Sequence, residues 1–411
     1  EMVIRDWSSD VCSSDLGDFG DSEGPMVVAA GRAGGVVEVR RATDFDGGVA
    51  NGLADSGLIF TTVGDPIAVM LNDDLWVLTD AGNVYRADNL ASGAQLIGSF
   101  PMETYHGICA SEGGMVLVGG SEDQTTWYVI QSDGTYESVT EDGEYRFGPI
   151  LVDVDRDGVQ DVIGFTEYGR GSRIPLQSPL QNVESSISRY VYDNFAVTTN
   201  PIAADINGDG YPEIIVGGEN RIVAFDRNFT LVADFPKRID DRYPVAKVTA
   251  APIVADLRRG GQPEVVVPTE MGNVYAYGEE LAYGFPLSGG EFTAGSALFV
   301  NDSLGGKLGY IGADGWFYLW EADVDTTTNY WPMAGANAGG TLMFDLSRLG
   351  TPAQYAAAFD EKQFFNYPNP VTQGRTKIRY FVGQEASRVT LTVFDLSRVE
   401  VAEMNGPSAG G

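Results

Sequence analysis

Residues 204–217 read Ala-Asp-Ile-Asn-Gly-Asp-Gly-Tyr-Pro-Glu-Ile-Ile-Val-Gly, and this stretch decides the fold. It contains a short apolar segment, an acidic loop and a run of β-branched residues that ends at glycine. A second run with strand character, Arg221-Ile-Val-Ala-Phe-Asp226, follows directly. Short runs rich in Val and Ile, bounded by acidic and glycine turns, predict short antiparallel strands joined by tight connections.

The same order of elements recurs along the chain. Asp205 and Pro212 are seven residues apart, and the same spacing separates Asp256 from Pro263 and Asp18 from Pro25. The units begin near residues 25, 67, 107, 150, 202, 252 and 298. Spacings of about 40 to 52 residues are typical of four-stranded propeller blades, which must stack to bury both faces. The sequence therefore predicts an all-β chain with a seven-bladed β-propeller, six or eight blades being possible.

Two acidic loops have the composition of calcium sites. They are the first loop, Asp153–Asp161, and the second loop, Asp205–Glu213, each with oxygen-bearing side chains at positions 1, 3, 5 and 9 and glycine at position 6. Calcium takes six to eight hard oxygen ligands, and a backbone carbonyl at position 7 can add one. The predicted ligands are Asp153, Asp155, Asp157, Val159, Asp161, Asp205, Asn207, Asp209, Tyr211 and Glu213. The alternative is an acidic turn with side-chain-to-backbone hydrogen bonds and no metal.

Three related loops are expected to be free of metal. In the third loop, Asp256–Glu264, Arg258 stands at position 3 and Gly260 at position 5, so two ligands are lost. The loops at Asp18 and Asp302 are similarly degenerate. Calcium at the two intact loops is expected to be structural, because it gathers carboxylates that would otherwise repel each other.

The first and second loops, each running into a hydrophobic strand, resemble the FG-GAP/VCBS repeats of integrin-like propellers and of many bacterial secreted proteins. The resemblance covers roughly residues 17–345. It implies calcium in blade loops and a role in adhesion or in recognition of carbohydrate or protein. Fold alone does not fix function.

The C-terminal part carries a second resemblance. Residues 364–370 read Phe-Phe-Asn-Tyr-Pro-Asn-Pro, and two alternating runs follow at 377–382 and 389–398. This is similar to the opening of the sorting domain of the type IX secretion system, which implies a partial Ig-like β-sandwich at 364–411 after a linker at 346–363. The family usually continues Asp-Leu-x-Gly-Arg, whereas residues 395–399 here read Asp-Leu-Ser-Arg-Val and lack that glycine. A generic two-sheet accessory domain is the alternative, and the reading frame is expected to be truncated.

The N-terminal segment is set aside. Residues 4–16 read IRDWSSDVCSSDL, which resembles a translated sequencing adapter, so residues 1–16 are expected not to belong to the fold. Cys12 falls in this segment, and Cys109 in a strand-like run is predicted to be a small buried residue.

Composition excludes several functions. With 58 acidic and 26 basic residues the formal net charge is −32, which makes nucleic acid a poor partner. No apolar run of 18 residues is present, so no membrane span is predicted. The single histidine, His106, closes off Ser-His-Asp triads and multi-histidine metal sites.

The sequence thus favours a non-catalytic binding, adhesion or display module, secreted or on the surface of a Gram-negative bacterium. The expected partners are a glycan or protein ligand and the type IX secretion machinery, and the chain is expected to be a monomer. Two alternatives stay open: an accessory region of a larger secreted hydrolase, and a polysaccharide lyase or glycosidase with its site at the propeller axis. Four tryptophans could stack on sugars, but their strand positions favour burial between blades: Trp76, Trp127, Trp316 and Trp320.

Overall fold

A computed structural model describes about two thirds of the chain. The described residues are 16–17, 26–31, 36–41, 58–72, 74–88, 93–178, 180, 187–190, 196–239, 247–257, 262–289, 298–302, 305–312, 316–322, 331–333, 335–336, 341–349, 365–367, 377–380, 388–394 and 400–406. Asp18, Pro25, Cys12 and the rest of the N-terminal segment before Leu16 lie outside these ranges.

The described residues contain β-strands, one short 3-10 helix at Leu346–Arg348, and no α-helix. The strands are β1 Leu16–Gly17, β2 Met26–Gly31, β3 Val36–Arg41, β4 Leu58–Thr61, β5 Pro66–Asn72, β6 Asp74–Thr79, β7 Asn83–Ala87, β8 Gln95–Ser99, β9 Thr104–Ser111, β10 Gly114–Gly120, β11 Gln124–Gln131, β12 Tyr136–Asp142, β13 Phe147–Val152, β14 Asp161–Phe165, β15 Arg170–Pro175, β16 Ile187–Tyr190, β17 Ile202–Ala204, β18 Glu213–Gly218, β19 Arg221–Phe225, β20 Lys237–Arg238, β21 Ile253–Ala255, β22 Glu264–Pro268, β23 Asn273–Tyr277, β24 Leu287–Ser288, β25 Leu298–Asp302, β26 Gly305–Ile311, β27 Phe317–Ala322, β28 Phe365–Tyr367, β29 Lys377–Arg379, β30 Val389–Phe394 and β31 Glu400–Gly406.

The first 27 strands form seven sheets that follow one another in chain order. Sheets 1 to 6 take four consecutive strands each, from β1–β4 to β21–β24, and sheet 7 has three described strands, β25–β27. Within each sheet, every strand pairs antiparallel with the next one along the chain. Successive up-and-down sheets of this kind make a propeller-type fold, which confirms the predicted all-β class. The count of seven blades stays a prediction.

The strands of the middle sheets are apolar on both faces. All six residues of β18 are buried, as are all five of β14. A sheet covered on both sides gives continuous runs of Val and Ile rather than strict alternation, and this is why the repeat is so visible in the sequence.

Clusters of buried side chains join each sheet to the next. Val37 of sheet 1 packs with Val69 and Leu71 of sheet 2, and further clusters link sheets 2 and 3, 3 and 4, 4 to 6, and 6 and 7. Cys109 is fully buried in β9, as predicted. Trp76 and Trp127 are also buried, whereas Trp320 is partly buried and Trp316 is 69% exposed.

One segment crosses the first strands of three sheets. We call it the crossing segment, residues 331–333 and 341–349. Ala110 of β9 donates to the Thr341 carbonyl (2.8 Å), Leu151 of β13 donates to the Leu342 carbonyl (2.9 Å), and Val254 of β21 exchanges backbone hydrogen bonds with Trp331. This segment therefore joins the first strands of sheets 3, 4 and 6.

The chain divides into two compact units, Glu1–Asn207 with Tyr211–Leu349, and Gly208–Gly210 with Gly350–Gly411. In the second unit β28 pairs with β29 and β30 with β31, both antiparallel. The Ig-like sandwich and the predicted domain boundaries remain predictions.

Leu16, the last residue of the segment set aside above, pairs with Val27. Within the described ranges, no helix has the length and apolar character needed to cross a membrane.

Candidate metal centre

The first loop connects two paired strands of sheet 4. β13 ends at Val152 and β14 begins at Asp161, and these two residues are partners across the ladder. The connection turns sharply because Arg156 (φ 57°) and Gly158 (φ 91°) both adopt the left-handed conformation. Glycine reaches this region without steric cost, which explains why position 6 of the loop is Gly158.

Three predicted ligands come together in this loop. The carboxylates of Asp153, Asp155 and Asp161 each offer an oxygen, and these oxygens all lie within 4.8 Å of one another. In the part of the chain that the structure describes, no other group of three or more Asp, Glu, His or Cys side chains meets this condition. Asp161 is fully buried, Asp153 is nearly so, and Asp155 is half-buried. The structure therefore brings three carboxylates together in the loop for which the sequence predicts a cation site.

Asp157 and Val159, the other two predicted ligands of this loop, are hydrogen-bonded to each other. The Asp157 carboxylate accepts a hydrogen bond from the Val159 N–H (2.8 Å), as in an Asx turn. Asp153 accepts from the N–H groups of Asp157 (3.1 Å) and Gly158 (3.0 Å). The exposed carboxylate of Asp157 is not part of the group of three.

Arg173 of β15 contacts two of the three carboxylates, and this contact was not predicted from the sequence. Its Nη2 lies 2.5 Å from Oδ2 of Asp155, and its Nε lies 2.8 Å from Oδ1 of Asp161. Arg173 thus compensates the buried Oδ1 of Asp161, whereas Oδ1 of Asp155 is buried without a hydrogen-bond donor. A buried acceptor oxygen that lacks a donor is costly, and a bound cation would satisfy it.

Burial has the largest effect on the pKa values of Asp161 and Asp153. It raises the pKa of Asp161 to about 6, although Arg173 and the Val154 N–H act in the opposite direction. The pKa of Asp153 is raised for the same reason, opposed by the N–H groups of Gly158 and Asp157. A cation bound at these oxygens would favour the charged forms.

The acidic residue at position 9 closes each of three loops in the same way. Its carboxylate accepts a hydrogen bond from the backbone N–H at position 2. The donor–acceptor pairs are Val154 N to Asp161 Oδ2 (3.2 Å), Ile206 N to Glu213 Oε2 (2.9 Å) and Leu257 N to Glu264 Oε2 (2.8 Å). This contact occurs with and without the ligand types that calcium needs at positions 3 and 5.

The second loop resembles the first loop only in part. Asn207 donates from Nδ2 to Glu213 Oε1 (2.7 Å), and Asp205 and Glu213 are both buried. The Tyr211 ring lies 4.9 Å from the Arg227 guanidinium carbon. Asp209 groups with the second compact unit. Calcium at this loop stays a prediction.

The degenerate loops differ in how much of them is described. In the third loop Asp256 and Glu264 are both fully buried, and residues 258–261 lie outside the described ranges. Asp302 ends β25, where it pairs with Gly305. Their expected lack of metal stays a prediction.

A separate polar cavity of about 410 Å³ lies beside His106, which sits in β9 rather than in a turn. Its wall carries the side chains of Glu103, Thr104, Tyr105, His106, Glu122, Glu144 and Arg146. Burial lowers the pKa of His106, opposed by Glu144. Arg146 pairs with Glu144 at 2.8 Å.

Comparison with known proteins gives likeness of fold only. No family model matches the sequence, and no curated protein matches it significantly. The chain is similar to BBS1N crystallised in complex with ARL6DN (14% identity, TM-score 0.49, 78% of this chain and 94% of that one). It is also similar to BamB from Moraxella catarrhalis (13%, 0.45, 73% and 80%) and to the C-terminal WD40 domain of Sif2 (13%, 0.46, 72% and 78%). Since all three TM-scores lie below 0.5, it is the strand order of the seven sheets that assigns the propeller-type fold.

Proposed function

We propose that this protein is a non-catalytic binding or display module, exported to the cell surface of a Gram-negative bacterium, whose propeller is stabilised by structural calcium in the first and second loops. The observation that carries the calcium part is the group formed by Asp153, Asp155 and Asp161, with one buried oxygen, Asp155 Oδ1, that lacks a donor. Hard carboxylate oxygens are the ligands that calcium prefers. When bound, the ion would supply charge neutralisation and a fixed turn.

The binding role follows from the rigid sheets and the loops between them. The crossing segment joins first strands of sheets 3, 4 and 6 by backbone hydrogen bonds, and loops on such rigid scaffolds commonly carry the binding residues. A glycan or a protein is the expected ligand, since the charge of −32 repels nucleic acid.

Export through type IX secretion rests on the C-terminal residues. Tyr367, which ends β28, is followed by Pro-Asn-Pro, and β28 pairs with β29. β30 and β31 form a second antiparallel pair, and most residues of β31 are exposed. This remains the sequence-based part of the proposal.

Thermal unfolding with calcium and with a chelator tests the calcium part. Because calcium binds only the folded state, millimolar calcium should raise the melting temperature, by about 2–4 °C for each kcal/mol of binding energy. The rise should shrink in Asp155→Ala and in Asp209→Ala and vanish in the double variant. Glu112→Ala, which removes an exposed carboxylate in the β9–β10 turn, is the matched control. A rise that survives in the double variant would refute these two loops as the sites.

Binding is tested on the same purified chain. We expect it to bind members of a bacterial and host glycan array, or surface proteins presented in the same way, and to lose that binding on thermal unfolding. Hydrolysis or β-elimination of any polysaccharide in the array, detected as reducing ends or unsaturated products, would refute the non-catalytic assignment.

A further inference from the structure

Arg173 has no counterpart in the neighbouring repeats. In sheets 4, 5 and 6 the residue two places after the position-9 acid pairs across the second and third strands. The three pairs are Ile163 with Arg173, Ile215 with Ala224, and Val266 with Ala276. Two of the three repeats therefore have a fully buried alanine where the first loop has an arginine.

The arginine is held inside the loop, with 9% of its side chain exposed. Register explains how it gets there: Asp161 is opposite Pro175, so Arg173 is its diagonal neighbour on the same face of the sheet. From that position its guanidinium reaches Asp161 with Nε and Asp155 with Nη2. One positive charge thus stands among three carboxylates.

Burying an arginine is costly unless its charge is compensated. Alanine at the equivalent positions of sheets 5 and 6 shows that the ladder does not need a long side chain there. What distinguishes the first loop is that positions 3 and 5 are both acidic. The third loop has neither acid, and the second loop, whose register position is Ala224, has the neutral Asn207 at position 3. The guanidinium is therefore best explained by the cation position itself.

We propose that Arg173 fills the cation position of the first loop in the metal-free chain, and that calcium enters this loop only by displacing the guanidinium. The inference rests on the calcium sites of the proposed function. Arg173 and calcium compete for oxygens of Asp155 and Asp161. The first loop is consequently folded without metal and binds calcium more weakly than its carboxylates alone would allow, because binding must first break two ion pairs.

The test compares calcium affinities by titration calorimetry in chains that carry Asp209→Ala, which isolates the first loop. Arg173→Ala in this background copies the residue that sheets 5 and 6 already have. We expect its calcium dissociation constant to fall at least about tenfold, since site charge sets calcium affinity. An unchanged or larger dissociation constant would overturn the proposal.

A second measurement covers loss of folding. In chelator, Arg173→Ala should lower the melting temperature, and calcium should restore more stability to it than to the parent chain. Arg173→Gln, which keeps a long polar side chain without the charge, should show the same gain in calcium affinity if the alanine variant does not fold. If neither variant gains affinity, the competition does not exist.

The proposed calcium function can fail separately. A chain with Arg173 intact and Asp155→Ala reports the second loop alone. Calcium binding there, together with no affinity gain in either Arg173 variant, would overturn the competition and leave structural calcium standing. No calcium binding by any of these chains would overturn both.

Discussion

At the scale of single residues, the acid at position 9 is a hydrogen-bond acceptor before it is a metal ligand. Asp161, Glu213 and Glu264 each accept from the N–H seven residues earlier. The third loop retains this contact although Arg258 and Gly260 have replaced two ligands. The sequence shows the repeated acid but not its use, because spacing alone cannot separate a ligand from an acceptor.

Glu264→Ala should therefore destabilise the protein equally with calcium and with chelator. It leaves the Leu257 N–H buried without an acceptor, a loss of about 1–3 kcal/mol in the free energy of unfolding. Urea denaturation measures it. Glu264→Gln, which keeps an acceptor oxygen, is the matched control and should cost clearly less; equal losses for the two would argue against the contact.

Arg173 marks the limit of prediction at this scale. The sequence singled out Asp153, Asp155 and Asp161, which the structure brings together, because alternating acids followed by a strand are a local pattern. Arg173 lies twelve residues after Asp161 and meets it only through the β14–β15 register. Nothing in the local sequence fixes that register to the residue, so the competing cation could not be predicted.

At the scale of elements, the predicted units coincide with the observed sheets. Units expected near residues 202, 252 and 298 begin at β17, β21 and β25. The apolar second and third strands were visible because both faces are buried. The fourth strands β20 and β24 were not, since two residues carry no periodicity and their pairing depends on β19 and β23.

Close approach between sheets 3 and 4 gives a second prediction. A Cβ on Gly164 of β14 would lie 2.5 Å from Cη2 of the buried Trp127 of β11. Backbone strain is not involved, so Gly164→Ala should cost about 1–3 kcal/mol through overpacking alone. Urea denaturation of Gly164→Ala and of the unchanged protein measures this difference in the free energy of unfolding.

The cause is checked by a double-mutant cycle with Trp127→Phe. The smaller ring removes the colliding atom, so the cost of Gly164→Ala should fall in that background. A cost that is the same next to Trp127 and next to phenylalanine would mean that the indole is not the obstacle.

At the scale of the whole molecule, the crossing segment joins sheets that are far apart in sequence. The sequence predicted a linker over residues 346–363, which stays a prediction. Trp331 is fully buried, and Leu346 and Leu349 pack on the largest core cluster. Local pattern could not show this, because the partners Leu151 and Val254 precede the segment by about 80 to 190 residues.

Phe344→Ala should for this reason affect the global unfolding transition. Phe344 is 3% exposed and stacks on Trp331 with ring centroids 6.5 Å apart. Removing such a side chain costs about 3–5 kcal/mol. Leu281→Ala, which truncates an exposed apolar residue, is the control and should change stability little. A small effect of Phe344→Ala would mean that the segment does not hold the sheets together.

The net charge of −32 acts on the molecule as a whole. With 58 acidic against 26 basic residues, the folded state concentrates negative charge that the unfolded chain disperses, so self-repulsion lowers stability. Salt screens exposed charges over about 10 Å at 0.1 M, and less at higher concentration. We expect the melting temperature in chelator to rise as sodium chloride increases from low salt to about 0.5 M.

The same titration separates screening from binding. Screening depends on ionic strength alone, whereas buried carboxylates such as Asp161 are shielded from it and respond to an ion that enters the loop. At matched high ionic strength, calcium should therefore still raise the melting temperature above the sodium value, and Asp155→Ala with Asp209→Ala should remove only that increment. A melting temperature insensitive to sodium chloride would show that the acidic residues are spaced widely enough not to repel, and a calcium increment that disappears at high salt would assign the whole calcium effect to the surface.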